Sequence, residues 1–585
     1  MDMRVFPIDL LSAAPQAMSS IERLKIASEG LFFVDDGATK KPFALALDDL
    51  THGDADAISD PAEEIAKHFG IYQQRARNDS GRKSGDFIFM VRVKLPAGGE
   101  LARGQWEALN LAAERYGNGT LRLTSRQGVQ FHFVYGRHLA ALIRHLNTEY
   151  SDNGVKMTTL GACGDVNRNT MCSPIDDLDA EMPLDSRRLA RAIADDLAPR
   201  SSAYFQIFLA DETGRTIAPI SNDEPFYGAQ YLPRKFKVGI AHPHDNSVDI
   251  LTQDVGFLPR PENAAINYDL YTGGGLGITH NQPQTQQLLG AYLGRIPEEQ
   301  VVAAVRAIAL LQKENGERKD RRQARWKYTL RRMGIDTIKA ALRERFAIPL
   351  AEIEPQPLPP IAYFHGWHRE AGGADRYYFG LPIESGRLHD TPQIRMRSAV
   401  RRIVAELDLG LRITPNQDLL LCHIRNDCRV RVETLLQEHG VPLPNAISTV
   451  RRQALACPAK PTCGQAMTEA ERLLPHYLNA IEQAGLGDID VIIRMAGCPN
   501  SCSRPPTAEI GICGYGKNDY VIQVGGSRNG TRIGKVLYER VPGERMIDVL
   551  LRLLQTIHND KPQNVTVGDY LYATATEELR RRIDP

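Results

Sequence analysis

Four cysteines in the C-terminal quarter of the chain have the type and spacing of a metal centre. Five residues separate Cys457 from Cys463, and three residues separate Cys498 from Cys502. Four thiolates are the ligand set that a cubane iron-sulfur cluster requires. A proline follows Cys457 and another follows Cys498, and prolines hold open turns in which a sulfur can point inward. The spacing therefore predicts an iron-sulfur cluster on Cys457, Cys463, Cys498 and Cys502.

Zinc is the main alternative metal for these cysteines. Structural zinc sites use two to four residues between paired ligands, so the five-residue spacing of Cys457 and Cys463 fits zinc poorly. Four unrelated buried thiols would give no reason for the clustering. The cysteines at 422, 428 and 513 lie outside the pattern, and we interpret them as buried or incidental thiols.

The segment between the two cysteine pairs, TEAERLLPHYLNAIEQAG (468–485), predicts a helix. Thr468 and Glu471 have the spacing of a capping box at a helix start. Gly485 is the type of residue that ends a helix. We therefore expect one helix to connect the two pairs.

The chain repeats itself in five places in the same order. FMVRVKLPAGGEL (89–101) matches RYYFGLPIESGRL (376–388), and LRLTSRQGVQFHFV (121–134) matches LRITPNQDLLLCHI (411–424). Cys163 and Cys172 then align with Cys457 and Cys463. The last two matches are PRKFKVGIAHP with VIIRMAGCPNS and YDLYTGGGLG with YVIQVGGSRNG. Strand and helix patterns alternate within each copy, which predicts an α/β (α+β) fold of two duplicated halves with pseudo-two-fold symmetry and a ligand between them.

Composition excludes several classes of protein. The chain has 71 basic and 71 acidic residues, so no overall field favours nucleic acid or an anionic membrane. No apolar run is long enough for a membrane span or a signal peptide, which predicts a cytoplasmic protein. Nine cysteines, an odd number, are typical of thiols and metal ligands in a reducing compartment.

The cysteine spacing with GCPNSC resembles the sulfite/nitrite reductase family. IYQQRARND, DVNRNTMC and YLPRKFK place the resemblance nearest to the hemoprotein subunits of NADPH-dependent assimilatory sulfite reductases. It implies siroheme and a 4Fe-4S cluster enclosed between the halves, with Cys502 ligating both the cluster and the siroheme iron. The implied reaction is the six-electron reduction of sulfite to sulfide.

The resemblance also implies the roles of basic and polar residues. Sulfite is a doubly charged anion near neutral pH, so cations should line its site. The residues implied as catalytic cations are Arg92, Arg168, Lys235 and Lys237. The residues implied as siroheme contacts are Arg122, Thr124, Arg126, Gln130, His132, Arg234, Gln417 and Asn500.

A basic stretch, RKDRRQARWKYTLRR (318–332), is first interpreted as a solvated helix face. Its alternatives are docking of an acidic electron donor or contact with siroheme carboxylates. Family members often have a lysine soon after GGGL, where this chain reads HNQPQT. One siroheme contact is therefore expected to be missing.

Other activities compete with sulfite reduction. A siroheme nitrite reductase commonly has Asn where this chain has Lys237, which favours sulfite. A cobalamin-pathway oxygenase shares the cluster motif but not the cation set, and an iron-sulfur nucleic-acid-binding protein would need a basic-aromatic motif that is absent. No dinucleotide-binding motif is present, so we expect a separate flavoprotein partner, or alternatively ferredoxin.

The family resemblance divides the chain into five segments. They are an N-terminal arm or linker (1–60, with a short helix in SSIERLKIAS), a ferredoxin-like half-domain (61–150), a siroheme- and substrate-binding repeat (151–350), a second ferredoxin-like half-domain (351–440) and a cluster- and siroheme-binding repeat (441–585).

Overall fold

The computed structural model describes most of the chain beyond its N-terminal arm. The described residues are 57, 58, 60–77, 83–148, 157–200, 204, 226–228, 231–262, 265–372 and 375–584. The helix expected in 19–28 lies outside them. Within these ranges, no helix combines the length and apolar character needed to cross a membrane.

The first unit is an antiparallel sheet covered by helices. Helix α1 (Asp60–Ala66) precedes strands β1 (Ile71–Arg77) and β2 (Lys83–Val93). Helix α2 (Arg103–Tyr116), strands β3 (Leu121–Leu123) and β4 (Val129–Val134) and helix α3 (Leu139–Thr148) complete it. The alternation of strand and helix expected within the first copy is thus confirmed.

The first repeat follows as a mixed sheet with helices packed around it. Its elements are β5 (Met171–Cys172), α4 (Ser186–Asp196), β6 (Val238–Ile240), β7 (Val255–Glu262), β8 (Ala265–Thr272), β9 (Ala291–Pro297), α5 (Val301–Asn315), α6 (Trp326–Met333) and α7 (Ile335–Ala340). Strands β5, β6 and β7 run parallel, and β8 and β9 are antiparallel to their neighbours.

The second unit and second repeat reproduce the same order. The second unit contains β10 (Gly366–Arg369), β11 (Arg376–Leu381), β12 (Arg387–Leu388), α8 (Met396–Leu407), β13 (Gly410–Ile413), β14 (Leu419–Arg425) and α9 (Arg429–Glu438). The second repeat contains α10 (Thr449–Gln453), β15 (Leu455–Ala456), α11 (Leu474–Gln483), β16 (Ile493–Ala496), β17 (Ile510–Gly516), β18 (Asp519–Val524), β19 (Lys535–Pro542), α12 (Met546–Asp560), α13 (Val567–Ala573) and α14 (Thr576–Ile583).

Sheet topology confirms the duplication. The sheet β5-β6-β7-β8-β9 and the sheet β15-β16-β17-β18-β19 have the same strand order and the same pattern of parallel and antiparallel pairs. Backbone conformation repeats as well, because Gln127 and Gln417 both have positive φ, as do Phe133 and His423. Non-glycine residues rarely adopt this conformation, so its recurrence at matched positions reflects one ancestral turn geometry.

The two ferredoxin-like units exchange strand edges. Strand β12 of the second unit pairs with β3 of the first, where Leu388 lies opposite Leu121. In the reciprocal contact, Leu101 of the first unit pairs with Leu411 of the second. The exchange covers an edge of each sheet that would otherwise leave backbone groups unpaired.

The alignment of the cysteines between the repeats is wrong. Cys172 pairs with Ile240, whereas Ala456 pairs with Met495, so Cys172 corresponds to Ala456 and not to Cys463. Strands β6 and β16 do correspond, but their structural alignment differs by three residues from the alignment that the sequence match gives. The cysteines lie in loops, where a similar count of residues does not guarantee equivalent positions.

The predicted start of the connecting helix is also wrong. Helix α11 begins at Leu474, and residues 471–473 form a turn. Glu471 is not a capping residue, because its carboxylate accepts hydrogen bonds from Arg122 Nε at 3.0 Å and Arg387 Nε at 2.7 Å. Tertiary ion pairing outweighs the local capping signal, which is worth only about 1 kcal/mol. The predicted end is confirmed, since Gly485 has φ of 73° just beyond the helix.

Two large hydrophobic cores hold most of the molecule together. One core runs from Ile58 to Val441 and joins both ferredoxin-like units to the first repeat, while the second lies between Val450 and Ile583. The predicted boundary at 440 falls one residue before the end of the first core, and those at 150 and 350 fall well inside it. The five-segment division remains a prediction.

Replacement of Glu471 by alanine tests whether the ion pair, rather than helix capping, is its role. Loss of the carboxylate leaves two largely buried guanidinium groups without it, and we expect the free energy of unfolding to fall by about 3–5 kcal/mol. Chemical denaturation measures the change. Glu469→Ala is the matched control, because Glu469 pairs with Arg472 at the surface and its loss should cost at most about 1 kcal/mol. A loss of only about 1 kcal/mol for Glu471→Ala would contradict the ion-pair role.

His423 predicts a pH-dependent contribution to stability at the contact between the units. Its ring nitrogens lie 2.9 Å from Glu100 Oε1 and 3.0 Å from Glu370 Oε2, and these two hydrogen bonds raise the pKa of His423 to about 9. The raised pKa stabilises the folded state fully below the unfolded value of about 6.5, and that contribution is lost as the pH rises through about 9.

The expected result is that His423→Gln lowers the denaturation midpoint at pH 6 and changes it little above pH 9. His439→Gln is the control, because the His439 ring contacts the carbonyl of Leu435. An equal loss for His423→Gln at both pH values would contradict this account.

Candidate functional site

One cleft brings together the residues singled out in the sequence. Its volume is about 1370 Å³, including the space at its mouth that is open to solvent. All four cysteines of the predicted cluster line it. The other predicted residues that line it are Arg92, Arg122, Thr124, Arg126, Gln130, His132, Arg168, Lys235, Lys237, Gln417 and Asn500. Arg234 is the exception, since it does not line the cleft.

The cysteines follow two neighbouring parallel strands of the second repeat. Cys457 comes directly after β15, and Cys498 comes two residues after β16. The backbone N–H of Gly497 donates to Cys457 Sγ at 3.3 Å. A Cβ on Gly497 would lie 2.5 Å from the Cβ of Ala459, so only glycine allows the two cysteine loops to approach this closely.

The spacing of the sulfurs suits a polynuclear cluster better than one zinc ion. Tetrahedral zinc with Zn–S bonds of about 2.3 Å would hold its sulfurs roughly 3.8 Å apart. Among the described residues, the cysteine sulfurs do not form a group of three within 4.8 Å of one another. A cubane cluster separates its ligands further than a single ion does, so the four thiols fit a 4Fe-4S cluster better than one zinc ion.

The cysteine thiols need a cationic partner to ionise. Burial and the neighbouring Cys502 raise the pKa of Cys498 to about 12, and the same causes raise the pKa of Cys457. A metal centre ligates thiolates and supplies the missing positive charge. Cys502 differs from the others, because it is exposed to the cleft and its carbonyl accepts a hydrogen bond from Ser125 at 2.9 Å.

Two arginines of the predicted cation set are held in fixed positions. Arg92 Nη1 lies 3.1 Å from Cys163 Sγ. With the Gln130 amide oriented so that its oxygen faces Arg92, that oxygen accepts from Arg92 Nε at 2.9 Å. Arg168 is buried and donates to the carbonyl of Gly164 through Nε at 3.3 Å and Nη2 at 3.2 Å. Both guanidinium groups are therefore oriented before any ligand binds.

The two lysines have no such neighbours. Lys235 and Lys237 are half-buried, and neither ammonium group has a hydrogen-bond or ion-pair partner within the described part of the chain. Burial is the largest cause that lowers the pKa of both lysines well below 10.5, and Arg168 repels both as well. A cation that is repelled and unpaired gains strongly from a bound anion.

Arg126 has one buried donor left unused. Its Nη1 donates to Gln253 at 2.7 Å, and its Nη2 donates to backbone carbonyls, including that of Val238 at 3.3 Å. Its Nε is buried with no hydrogen-bond partner in the structure. Such an orphaned donor beside the cleft fits an anionic group of a bound cofactor.

Arg122, Gln417 and His132 are held mainly by protein contacts. Arg122 donates to Gln417 Oε1 at 2.9 Å and to the carbonyl of Ala456 at 2.8 Å. Arg387 Nη1 lies 3.0 Å from His132 Nδ1, which therefore accepts the hydrogen bond. Burial and then Arg387 lower the pKa of His132 well below 6.5, so the ring is neutral and carries its proton on Nε2.

Three further predicted contacts occupy different settings. Thr124 Oγ1 accepts from the backbone of Gly128 at 3.1 Å and shapes the turn before β4. Asn500 donates to Gln465 at 3.1 Å at the edge of the cleft. Arg234 instead lies 3.7 Å from Asp165, which also pairs with Arg321 at 2.9 Å. A direct cofactor contact for these residues stays a prediction.

Arg325 is a cleft residue that the sequence did not single out. It lines the cleft, donates to Asp254 Oδ1 at 3.1 Å and keeps a buried Nε without a partner. Lys327 donates to the carbonyls of Gly275 at 2.9 Å and Gly277 at 3.0 Å, and so holds the GGGL loop in place. The interpretation of 318–332 as a solvated helix face is therefore wrong for its central residues, because a run of charges does not reveal which side chains turn inward.

Comparisons with known proteins match the chain to one family. Residues 163–350 match the family model of the nitrite and sulphite reductase 4Fe-4S domain, and residues 80–149 match that of the nitrite/sulfite reductase ferredoxin-like half domain. The chain is 35% identical to "Sulfite reductase [ferredoxin]" of Synechococcus elongatus, with 97% of this chain and 92% of that protein covered. It is 35% identical to "Sulfite reductase [NADPH] hemoprotein beta-component" of Geobacillus kaustophilus, with 88% of this chain and 90% of that protein covered.

A solved structure supports the fold. The Mycobacterium tuberculosis NirA protein superposes with a TM-score of 0.72 at 21% identity, over 90% of this chain and 92% of that one. Mixed α/β sheets, the repeated topology and identity of about a third over nearly the whole length lead to one conclusion. The chain belongs to the nitrite and sulfite reductase family.

Proposed function

We propose that the chain reduces sulfite to sulfide with six electrons, using siroheme and a 4Fe-4S cluster held in the cleft. The observation that carries the proposal is the meeting of four cysteines and a cation cluster in one cleft. Relatives that cover most of the chain are named sulfite reductases, which supports sulfite as the substrate.

The cysteines and the cleft cations would hold the two cofactors. Cys457, Cys463, Cys498 and Cys502 supply the thiolates of the cluster, and Cys502, the one exposed to the cleft, would also ligate the siroheme iron. The unused donors of Arg126 and Arg325 fit the siroheme carboxylates. When bound, the coupled pair supplies a site for the anion and a reservoir of electrons.

The protein's own task is to attract and orient the anion. Gln130 orients the guanidinium group of Arg92, and the carbonyl of Gly164 orients that of Arg168. Both groups therefore need little reorganisation when sulfite binds. Lys235 and Lys237 have free ammonium groups in the described structure and gain an ionic partner. At about 4 Å, each charge pair is worth about 1 kcal/mol in water and several-fold more in a partly desolvated cleft.

The same lysines are suited to deliver protons. Reduction of sulfite to sulfide releases its oxygens as water and consumes protons together with electrons. Burial and neighbouring cations lower the pKa of Lys235 and Lys237, and a lowered pKa makes an ammonium group a better proton donor near neutral pH. Binding of the anion would favour the protonated form of the lysines, and reduction of the anion would then take up the proton.

Lys237 distinguishes sulfite from nitrite in this proposal. The sulfite dianion carries twice the charge of nitrite, so it loses more when one cation is removed. We expect Lys237→Asn to lower kcat/KM for sulfite about tenfold or more and kcat/KM for nitrite by a smaller factor. Steady-state assays with reduced methyl viologen give both values on the same preparation.

Lys319→Asn is the matched control, because it removes the same charge from a lysine that is exposed and does not line the cleft. It should leave both activities unchanged. Equal losses for sulfite and nitrite in Lys237→Asn would refute the discriminating role of Lys237.

The electrons are proposed to come from a separate redox protein. The sequence has no dinucleotide-binding motif, and the relatives' names include both NADPH and ferredoxin. A flavoprotein that oxidises NADPH is the donor proposed here, with ferredoxin as the alternative. A cytoplasmic location likewise stays a prediction.

The donor proposal predicts that NADPH alone supports no sulfite reduction by the purified chain, whereas reduced methyl viologen does. Addition of an NADPH-dependent flavoprotein reductase should restore turnover with NADPH. Turnover with reduced ferredoxin but not with the flavoprotein would show that the donor is a ferredoxin. Turnover with NADPH alone would contradict the need for a separate donor protein.

A further inference from the structure

Asp179, His242 and His244 form a second group of metal-type ligands away from the cleft. One ligand atom from each lies within 4.8 Å of the others, and within the described ranges no other set of three His, Cys, Asp or Glu residues does so. None of the three lines the cleft of the cysteines. The group is therefore distinct from the iron-sulfur site.

Hydrogen bonds already orient two of the three ligands. The backbone N–H groups of Glu181 and Met182 donate to Asp179 Oδ1 at 2.9 and 3.2 Å, which leaves Oδ2 directed at the histidines. His242 Nε2 lies 2.9 Å from the carbonyl of Met182, so it carries the proton, and the lone pair on Nδ1 accepts from the backbone N–H of His244 at 3.2 Å, a contact that a bound ion would replace. A histidine that donates its other N–H to a carbonyl is the usual arrangement around a bound metal.

The distances match a tetrahedral first-row metal ion. Asp179 Oδ2 lies 2.8 Å from His244 Nδ1 and 3.8 Å from His242 Nδ1. Zinc with bonds of about 2.0–2.1 Å to nitrogen and oxygen would separate its ligand atoms by roughly 3.3 Å, between these two values. Two imidazoles exclude calcium and magnesium, which prefer oxygen. The His244 side chain is 40% exposed, so an ion and a water ligand can reach the site from solvent.

The turn that carries the histidines is stiff. His242 and Asp245 exchange backbone hydrogen bonds at 2.9 Å in both directions. The buried Asp245 carboxylate accepts from Ser173 Oγ and Ser247 Oγ, each at 2.7 Å. Because a rigid turn pays little entropy on binding, the ligands are close to a binding geometry before an ion arrives.

The duplication places this group where the other repeat carries its cluster ligands. Cys172 corresponds to Ala456, and the backbone N–H of Asp179 donates to the carbonyl four residues earlier at 2.8 Å just as that of Cys463 does at 2.6 Å, so Asp179 takes the place of Cys463. Ile240 corresponds to Met495, so His242 and His244 bracket the place of Cys498. The ends of the same two parallel strands thus present soft thiolates in one repeat and borderline nitrogen and oxygen ligands in the other.

We propose that Asp179, His242 and His244 bind one zinc-like divalent cation at the position pseudo-equivalent to the 4Fe-4S cluster. The ion ties the loop around Asp179 to the turn after β6. Asp179 also forms a backbone bridge with Glu370, so the tie reaches the second ferredoxin-like unit. Its role is structural, since the group lies outside the reacting cleft.

The test uses the holoprotein, stripped with EDTA and dialysed against Zn²⁺. Parent protein should take up one equivalent of zinc, and His244→Ala and Asp179→Asn should each weaken the affinity about a hundredfold or more, as measured by competition with a chelating dye. X-ray absorption at the zinc edge should show nitrogen and oxygen at about 2.0–2.1 Å and no sulfur near 2.3 Å.

His558→Ala is the matched control, since His558 is an exposed histidine on α12, remote in sequence from the group. It should bind zinc as the parent does. Circular dichroism and sulfite turnover like those of the parent show that each variant has folded. Failure of the parent to take up zinc, equal uptake by His244→Ala and Asp179→Asn, or sulfur ligands in the absorption spectrum would overturn the proposal. None of these results depends on whether sulfite is the substrate.

Discussion

Burial of arginine is the constraint on which the arrangement of the halves depends. Arg122, Arg412 and Arg494 are among the largest fully buried side chains of the described structure. A buried guanidinium group is costly unless carboxylates and carbonyls satisfy it. Arg122 meets Glu471 from the second repeat, and its counterpart Arg412 meets Asp177 from the first at 2.6 Å. Each ferredoxin-like unit is thereby fastened to the repeat that does not follow it in sequence.

This fastening positions the cleft. Arg122 donates to the carbonyl of Ala456, the residue before Cys457, so the same side chain that joins the halves also fixes one cysteine loop. Arg122 and Arg412 find protein partners for their guanidinium groups, whereas Arg126, Arg325 and the two lysines keep unused donors beside the cleft. The fold thus separates charges that hold the protein together from charges that are kept for a ligand.

The duplicated halves present opposite chemistry to the cleft. Cysteines follow β15 and β16, whereas Arg168, Lys235 and Lys237 precede β5 and β6. The cations and the cysteines approach the cleft from opposite ends of equivalent strands. That leaves the true counterparts of the cysteines, around Asp179 and His242, free to bind something else.

The fold class and most cleft residues follow from the sequence because they depend on spacing and repetition. Cysteine spacing singles out the four cysteines that line the cleft, and the repeated LRLT and LRIT segments identify the paired turns. The helix start predicted at Thr468 is wrong because the Glu471 carboxylate accepts a hydrogen bond from Arg122, 349 residues away in sequence, and does not cap the helix. The sequence did not predict that Arg325 lines the cleft, and it wrongly placed Arg234 there. Both errors arise because only packing decides which arginine of a basic segment turns toward the cleft.

The central claim is that Cys502 joins an iron-sulfur cluster to siroheme in this cleft. The visible absorption spectrum of protein purified without oxygen, followed by acid-acetone extraction of its chromophore, tests it most directly. The account predicts an isobacteriochlorin-type spectrum, an extractable siroheme and iron in excess of acid-labile sulfide, the excess being the siroheme iron. A colourless protein that contains zinc on its cysteines would contradict it.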